Sequence, residues 1–344
     1  MSPPEISVLM SVHNGRSHLS AAIESILDQT FGDFEFIIVN DGSTDGSDRV
    51  LSRWGRRDPR VRVIQQANRG LPAALNRGLR EVRGRFVARM DADDVSLPQR
   101  LERQLDFMRT HPGVGVLGTE IAKMDAQGML STETWPLPSS PGLTLWRTLF
   151  DSALAHPTVL FRREVLERAG GYDERFRRAQ DFELWMRLAL QTRMQSLPEV
   201  LLYRRVSAQG KVHPAPEVDD LLLRRMSDLH ARVLGRSPNR EDVAFCRRIY
   251  GQTAQGESTW GLLARIRYLR GLRRELLVRS EDARADAEAI EEDLHRKMMK
   301  VCYEVQRARP LLGQGLKALS PGWNRTLLQY IRKASSRSFR GGQA

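Results

Sequence analysis

Two continuous apolar runs near the N-terminus, separated by one amphipathic segment, restrict this chain more than any other feature. Ile6 to Val12 reads ISVLMSV and Phe34 to Val39 reads FEFIIV. Neither run alternates between apolar and polar positions, so each predicts a strand buried on both faces, as in a parallel sheet. Between them His13-Asn14-Gly15 predicts a turn. Ser17 is the expected cap of a helix whose Leu19, Ile23, Ile26 and Leu27 share one face, and Phe31-Gly32-Asp33 ends that helix. Buried strand, helix and buried strand in close order dictate a parallel pair, because parallel neighbours need a crossover of this length. The expected fold class is α/β with a mostly parallel central sheet.

In such sheets ligands gather beyond the carboxyl ends of the strands, so the residues that follow each strand are the ones to read. Phe86 to Met90 predicts a further short strand, and Asp91-Ala92-Asp93-Asp94 follows it directly. Leu97-Pro98 then opens an expected helix with Leu101, Leu105 and Met108 at i, i+4 and i+7. Three carboxylates this close repel one another, and a hard divalent cation, Mg²⁺ or Mn²⁺, relieves that while leaving positions for phosphate oxygens. The competing reading is an acidic turn in which Asp94 or Ser96 caps the helix.

The other strand ends carry small polar residues. Asn40-Asp41-Gly42-Ser43-Thr44-Asp45-Gly46-Ser47 follows the second strand. Its glycines let backbone N–H groups face a ligand, and Thr44 or Ser47 is an expected helix cap. A carboxylate at the position of Asp41 suits a base N–H. Val61 to Ile64 predicts a third strand, followed by Asn68-Arg69-Gly70-Leu71 and Asn76-Arg77-Gly78 around Ala73-Ala74-Leu75. Arg69 suits a phosphate or base, or is one of many surface arginines. No GxGxxG follows the first strand, which argues against a dinucleotide-binding domain.

The ordered set SVLMSVHNG, IIVNDGSTDGS, NRGLPAALNRGL and MDADDVSLPQRLERQ resembles the nucleotide-binding half of family 2 glycosyltransferases, which have the GT-A fold. The resemblance implies an inverting transferase with a nucleotide-diphospho-sugar donor, usually a UDP-sugar. It implies that Val12, His13, Asn14, Asp41, Ser43, Asn68, Arg69, Asn76, Met90, Asp91, Ala92 and Asp93 line the donor site, with Asp41 on the base. Asp91 and Asp93 resemble the family's Asp-x-Asp, which serves ribose and metal. Asp94 matches a further metal-contacting position, and which carboxylate ligates directly stays open.

The second half continues the likeness. Val114 to Gly118 and Ile121 to Lys123 predict strands with Asp125-Ala126-Gln127-Gly128 as a hairpin turn, and WPLPSSPG at residues 135–142 predicts a loop. AHPTVLFRREVLERAGGYDERF resembles the family's acceptor-side segment, with His156 as structural support. A short helix from Glu164 to Ala169 should stop at Gly170-Gly171. In Ala179-Gln180-Asp181-Phe182-Glu183-Leu184-Trp185, Asp181 reads from its position as a helix N-cap. By resemblance it is the catalytic base, with Gln180 on the acceptor side where relatives carry Glu. Leu201 to Arg204 resembles the last catalytic strand. Many relatives place a His three residues after its Tyr; here Val206 stands there, and Lys211 or His213 is the alternative phosphate contact.

After Pro214-Ala215-Pro216 the composition becomes helical, so the expected domains are residues 1–213, catalytic (1–110 donor half, 111–213 acceptor half), and a helical region 214–344. Leu262, Ile266, Leu269, Leu272 and Leu276 form a stripe that needs a partner: its own domain, a second subunit in a homo-oligomer or a membrane surface. The formal net charge is +12. Most of it lies beyond Leu294, where Lys and Arg face only Glu304. A basic, apolar-studded tail suits anionic lipid at about 1 kcal/mol per basic residue, or is a solvated end. Charge confined to a tail gives no whole-protein footprint for nucleic acid, and none is expected as a partner. Cys246 and Cys302 form no metal-spaced pair, the N-terminus lacks a signal pattern, and no apolar run is long enough to span a bilayer. The expected setting is cytoplasmic, peripheral at the inner membrane face through the tail. The expected acceptor is a saccharide or lipid-linked glycan of the cell surface. The competing reading is a non-catalytic nucleotide-sugar-binding scaffold acting through its helices.

Overall fold

The computed structural model describes residues 3–206, 216–251 and 259–308. Lys211, His213 and the basic tail beyond residue 308 lie outside the described residues. The first part of the chain runs β1 (Ile6–Val12), α1 (Arg16–Leu27), β2 (Phe34–Asp41), α2 (Ser47–Arg57), β3 (Val61–Gln66), α3 (Leu71–Leu79) and β4 (Phe86–Asp91). It continues with β5 (Val95–Ser96), α4 (Arg100–Thr110), β6 (Val114–Met124), β7 (Leu130–Trp135), α5 (Pro141–Thr148), β8 (Leu160–Arg162), α6 (Arg163–Ala169), α7 (Gln180–Leu188) and β9 (Arg193–Arg205).

These strands form one nine-stranded sheet in the order β3-β2-β1-β4-β8-β6-β9-β5, with β7 also paired to β6. The first four positions are parallel, as are β6 and β9; β8, β7 and β5 pair antiparallel. The parallel half follows from the crossover helices: α1, α2 and α3 each return the chain to the same edge. The tips of β1, β2, β3 and β4 therefore lie along one edge of the sheet.

Both faces of the parallel half are covered. Ile6, Val8, Met10, Phe36, Ile38, Phe86, Ala88 and Met90 meet Leu19, Ile23, Ile26, Leu101 and Leu105 in a single core. Burying a side chain of this size stabilises by about 1.5–3 kcal/mol, against about 0–1 kcal/mol for an exposed ion pair. Apolar packing, not the many Arg–Glu pairs, holds the sheet. On the opposite face α3 lies so close that a Cβ on Gly78 would fall 2.2 Å from Leu9 Cδ1. A buried acid survives at Glu35 because it is satisfied: Ser7 Oγ donates at 2.7 Å, Arg83 Nε at 2.9 Å and Arg62 Nη1 at 3.1 Å.

Several local expectations are corrected. Gly15 and Gly46, not Ser17 and Thr44 or Ser47, occupy the cap positions of α1 and α2. The Ser47 hydroxyl is instead taken by Asp45 and the Gly15 N–H. The helix after the acidic stretch begins at Arg100, not Leu97, because Val95–Ser96 pairs with Leu202 and Tyr203 of β9 and is drawn into the sheet. Neither Asp94 nor Ser96 caps it; the cap position is Gln99. The two strands expected between Val114 and Lys123 are one, β6. Gly170 closes α6 in the left-handed conformation, as expected.

The chain divides into two compact units, Met1–Leu229 and His230–Ala344. α8 (Pro216–Leu234) begins in the first, where Arg225 pairs with Asp173 and the fully buried Glu183. Packing therefore assigns to the first unit residues that composition groups with the helical region. The second unit contains α9 (Arg240–Gly251), α10 (Thr259–Arg279), α11 (Glu281–Ala285) and α12 (Ala287–Ala308). Ile266, Leu269, Leu272 and Leu276 of the stripe are buried, with α10 packing against α9, α11 and α12. Their partner is the unit itself. Among the described residues no helix is long and apolar enough to cross a membrane.

Candidate active site

The loops after β1, β2 and β3 are knitted into one surface. His13 Nδ1 donates to the Asp41 carbonyl at 2.9 Å, and its Nε2 accepts from Asn68 Nδ2 at 3.1 Å. Asn14, in the left-handed conformation that asparagine tolerates, accepts from Thr44 N at 2.8 Å, and its N–H donates to Ser43 Oγ at 3.0 Å. Gly42 must lack a side chain here, since a Cβ would lie 2.6 Å from Asn68 N. Asp41 is buried and committed: Gln66 Nε2 donates at 2.7 Å, Arg69 N at 2.9 Å and Gly70 N at 2.8 Å. It organises the turn that carries Asn68 and Arg69.

Not every residue of the expected donor site is free to meet a ligand through its side chain. Val12 and Met90 point into the core, so only their backbone groups remain. Asn76 clamps the backbone of Tyr172, accepting from its N–H at 2.9 Å and donating to its carbonyl at 2.8 Å. Its side chain thus fixes the second half of the unit against α3. Arg69 reaches Glu174 at 3.4 Å, and Asn76 also donates to Glu174 at 3.2 Å.

At the tip of β4 the ligand atoms of Asp91, Asp93 and Asp94 lie within 4.8 Å of one another. Asp94 is buried; its Oδ1 accepts the Arg205 N–H at 2.9 Å, while Oδ2 is enclosed without a partner among the described residues. Burial, with Asp91 and Asp93 beside it, pushes the Asp94 carboxyl up to about 8. Desolvation and the Asp91 charge also raise Asp93. An orphaned buried oxygen in a crowded carboxylate set is what a divalent cation remedies, so these residues fit the metal that the sequence implies.

Behind them lies a residue that the sequence reading missed. Arg89 is two positions before Asp91 on β4 and 3% exposed, and it ion-pairs with Asp91. Val87 pairs with Phe161, which stacks on Trp185 of α7. By strand alternation Arg89 and Asp91 share that face. A charged residue inside an apolar strand is the signal that was available.

Asp181 sits in the first turn of α7 but is not its cap. That position is Ala179, a non-glycine residue held at φ 54°, which costs on the order of 1–2 kcal/mol. Ser152 Oγ lies 3.3 Å from Asp181 Oδ2 as a donor and accepts from Trp185 Nε1 at 3.0 Å. Burial raises the Asp181 carboxyl; the Phe182 N–H, the Arg89 charge and Ser152 oppose it. Gln180 is buried at the head of the same helix. His156 is buried, 2.8 Å from the Tyr172 hydroxyl and edge-on to Trp185. Burial, with Arg89 and Arg204 nearby, holds its imidazole well below the usual range, hence neutral. Ser152 and Tyr172 carry no sequence signal, because their roles arise only from this packing.

A profile described as "Glycosyl transferase family 2" matches residues 7–170. The amylovoran biosynthesis glycosyltransferase AmsE of Erwinia amylovora is 33% identical over 206 residues, covering 59% of this chain and 76% of that protein. The O-antigen biosynthesis glycosyltransferase WbnJ of Escherichia coli is 34% identical over 206 residues, covering 58% of this chain and 79% of that protein. The chain belongs to glycosyl transferase family 2. This glycosyltransferase also shares its fold with solved structures at low identity. S. aureus TarS 1–349, in complex with UDP, superposes with a TM-score of 0.58 at 19% identity, covering 88% of this chain and 91% of that one. The mannosyltransferase PcManGT of Pyrobaculum calidifontis, in complex with GDP-Man and Mn²⁺, gives 0.50 at 19% identity, covering 93% and 88%. The glycosyltransferase thus has the GT-A fold expected from its sequence, with a helical C-terminal region.

Proposed function

We propose that this glycosyltransferase moves a sugar from a nucleoside diphosphate, a UDP-sugar first, to an acceptor hydroxyl with inversion, in the synthesis of a cell-surface polysaccharide or lipid-linked glycan. The observation that carries this reading is the carboxylate cluster at the tip of β4, with one buried oxygen of Asp94 left without a partner among the described residues. The UDP complex of TarS and the GDP-Man and Mn²⁺ complex of PcManGT support a nucleotide donor and a divalent cation. The names of AmsE and WbnJ support the biosynthetic setting.

In this reading Asp91, Asp93 and Asp94 hold the cation. When bound, it supplies charge neutralisation for the departing diphosphate. His13, Asn14, Ser43, Asn68 and Arg69 line the donor site, with the backbone of Val12, Met90 and Ala92. Asp41 and Asn76 hold that surface in shape. Asp181 takes the acceptor proton as the hydroxyl oxygen attacks the anomeric carbon and the bond to the β-phosphate oxygen breaks. The N–H groups of the first turn of α7 favour its ionised form, and Ser152 fixes the carboxylate. Neutral His156 supports this corner through Tyr172 and Trp185 rather than competing as a base.

The test is titration calorimetry of the purified protein with UDP-, dTDP- and GDP-sugars, with and without Mn²⁺. Metal-dependent binding of one nucleotide class is the expected result. A folded protein that binds none of them removes the donor site, whereas donor binding with neither transfer nor donor hydrolysis favours the scaffold reading.

A further inference from the structure

We propose that Arg89 is the resident counter-cation of the carboxylate cluster, so that a divalent cation is taken up together with a nucleoside diphosphate rather than alone. This rests on the donor reading above.

The geometry has three parts. The Arg89 guanidinium is enclosed and engages Asp91, while its Nε and Nη1 have no partner among the described residues. The Arg100 guanidinium is fully buried as well and donates from Nη2 to the Arg89 carbonyl at 2.7 Å. Asp94 Oδ2 is enclosed without a partner among those same residues. Three acids at the tip of β4 are thus backed by the buried Arg89 guanidinium, whose strand is held from behind by Arg100 through the Arg89 carbonyl. An inward-facing strand position is normally apolar, and an ion pair in such a place contributes little to stability against a hydrophobic replacement. A half-satisfied guanidinium there is explained by charge, not packing.

The consequence is a matter of balance. A bare divalent cation entering the cluster meets acids already partly neutralised and must share Asp91 with Arg89. A nucleoside diphosphate brings its own negative charge and supplies oxygen ligands to the same cation. Each then strengthens the other, and by linkage the enhancement is the same in both directions. Arg89 does not touch the reacting atoms in this scheme; it sets which species the cluster accepts.

The experiment is a Mn²⁺ titration of the full chain, followed by the electron paramagnetic resonance signal of free Mn²⁺, with and without UDP. Wild-type protein should bind Mn²⁺ weakly alone and at least about 10-fold more tightly with UDP, within the usual span of coupled sites. Arg89→Met should bind Mn²⁺ alone about 10-fold more tightly, and the gain from UDP should collapse. Arg89→Lys, which keeps the charge, should retain the wild-type pattern. Equal Mn²⁺ affinity in wild type and Arg89→Met overturns the proposal. So does wild-type affinity that is as high without UDP as with it while UDP itself binds, a result that needs no variant to fold. If UDP binds to none of the proteins, the donor reading fails separately, and the Mn²⁺ affinities of wild type and Arg89→Met without nucleotide still decide the role of Arg89.

Discussion

The tips of β2 and β4 both end in aspartate, and the two are built in opposite ways. Asp41 is buried with both oxygens occupied by three N–H donors. Asp94 is equally buried with one oxygen orphaned and two acids beside it. A satisfied buried carboxylate holds the chain in shape. An unsatisfied one stores the cost of desolvation until a ligand relieves it. Proximity to the same sheet edge therefore does not give two residues the same work.

The largest expected effect lies at the acid that belongs to neither group. Asp181→Asn should lower turnover by about 10²–10⁴-fold while leaving UDP-sugar affinity near wild type. Transfer at near wild-type rate by that variant would remove Asp181 from the base role. Because burial raises its carboxyl, the wild-type rate should fall with decreasing pH from a point above the ordinary aspartate value.

Next come the two strand tips, where the comparison breaks if both variants behave alike. Asp94→Asn should abolish Mn²⁺-dependent nucleotide binding without lowering the melting temperature. Asp41→Asn should leave an amide facing N–H donors and cost about 1–3 kcal/mol of stability, read by urea unfolding. A metal defect in the second variant, or a stability defect in the first, would erase the distinction. Ser152→Ala removes one hydrogen bond to Asp181 and should cost turnover by several-fold, with donor affinity unchanged, for about 0.5–1.5 kcal/mol.

The smallest effect is at Glu35, a second satisfied acid. Burial works to raise its carboxyl, but the hydrogen bonds from Arg83, Ser7 and Arg62 outweigh it and hold it below the ordinary value of 4.5. A depressed carboxyl adds stability that is present above the ordinary value and lost as pH falls through the folded-state value. Glu35→Gln should melt earlier than wild type at neutral pH, and the gap should close in acid. A gap that persists unchanged would mean that Glu35 acts through packing rather than charge.

Much of this was legible in the chain before any packing was known. The two uninterrupted apolar runs and the helix between them determined a parallel start to the sheet, because no other connection fits. That in turn determined that Asp41 and the Asp91–Asp94 stretch would share one edge. The cap positions differ from those expected because Ser17, Thr44, Ser47 and Asp94 are good cappers in isolation. The side chains of Thr44 and Ser47 meet neighbouring loops and that of Asp94 meets β9, while Ser17 lies inside α1, past its cap.

What only the tertiary structure decided is which polar groups are satisfied. The N–H that meets Asp94 comes from Arg205, 111 residues later. Asn76 meets Tyr172 96 residues on, and Ser152 meets Asp181 29 residues on. Local sequence records a residue's own preference and its periodic neighbours. Hydrogen-bond satisfaction and desolvation depend on groups that folding brings together from afar. The sequence placed the acids at the edge, and the fold determined that one of them is complete and another is not.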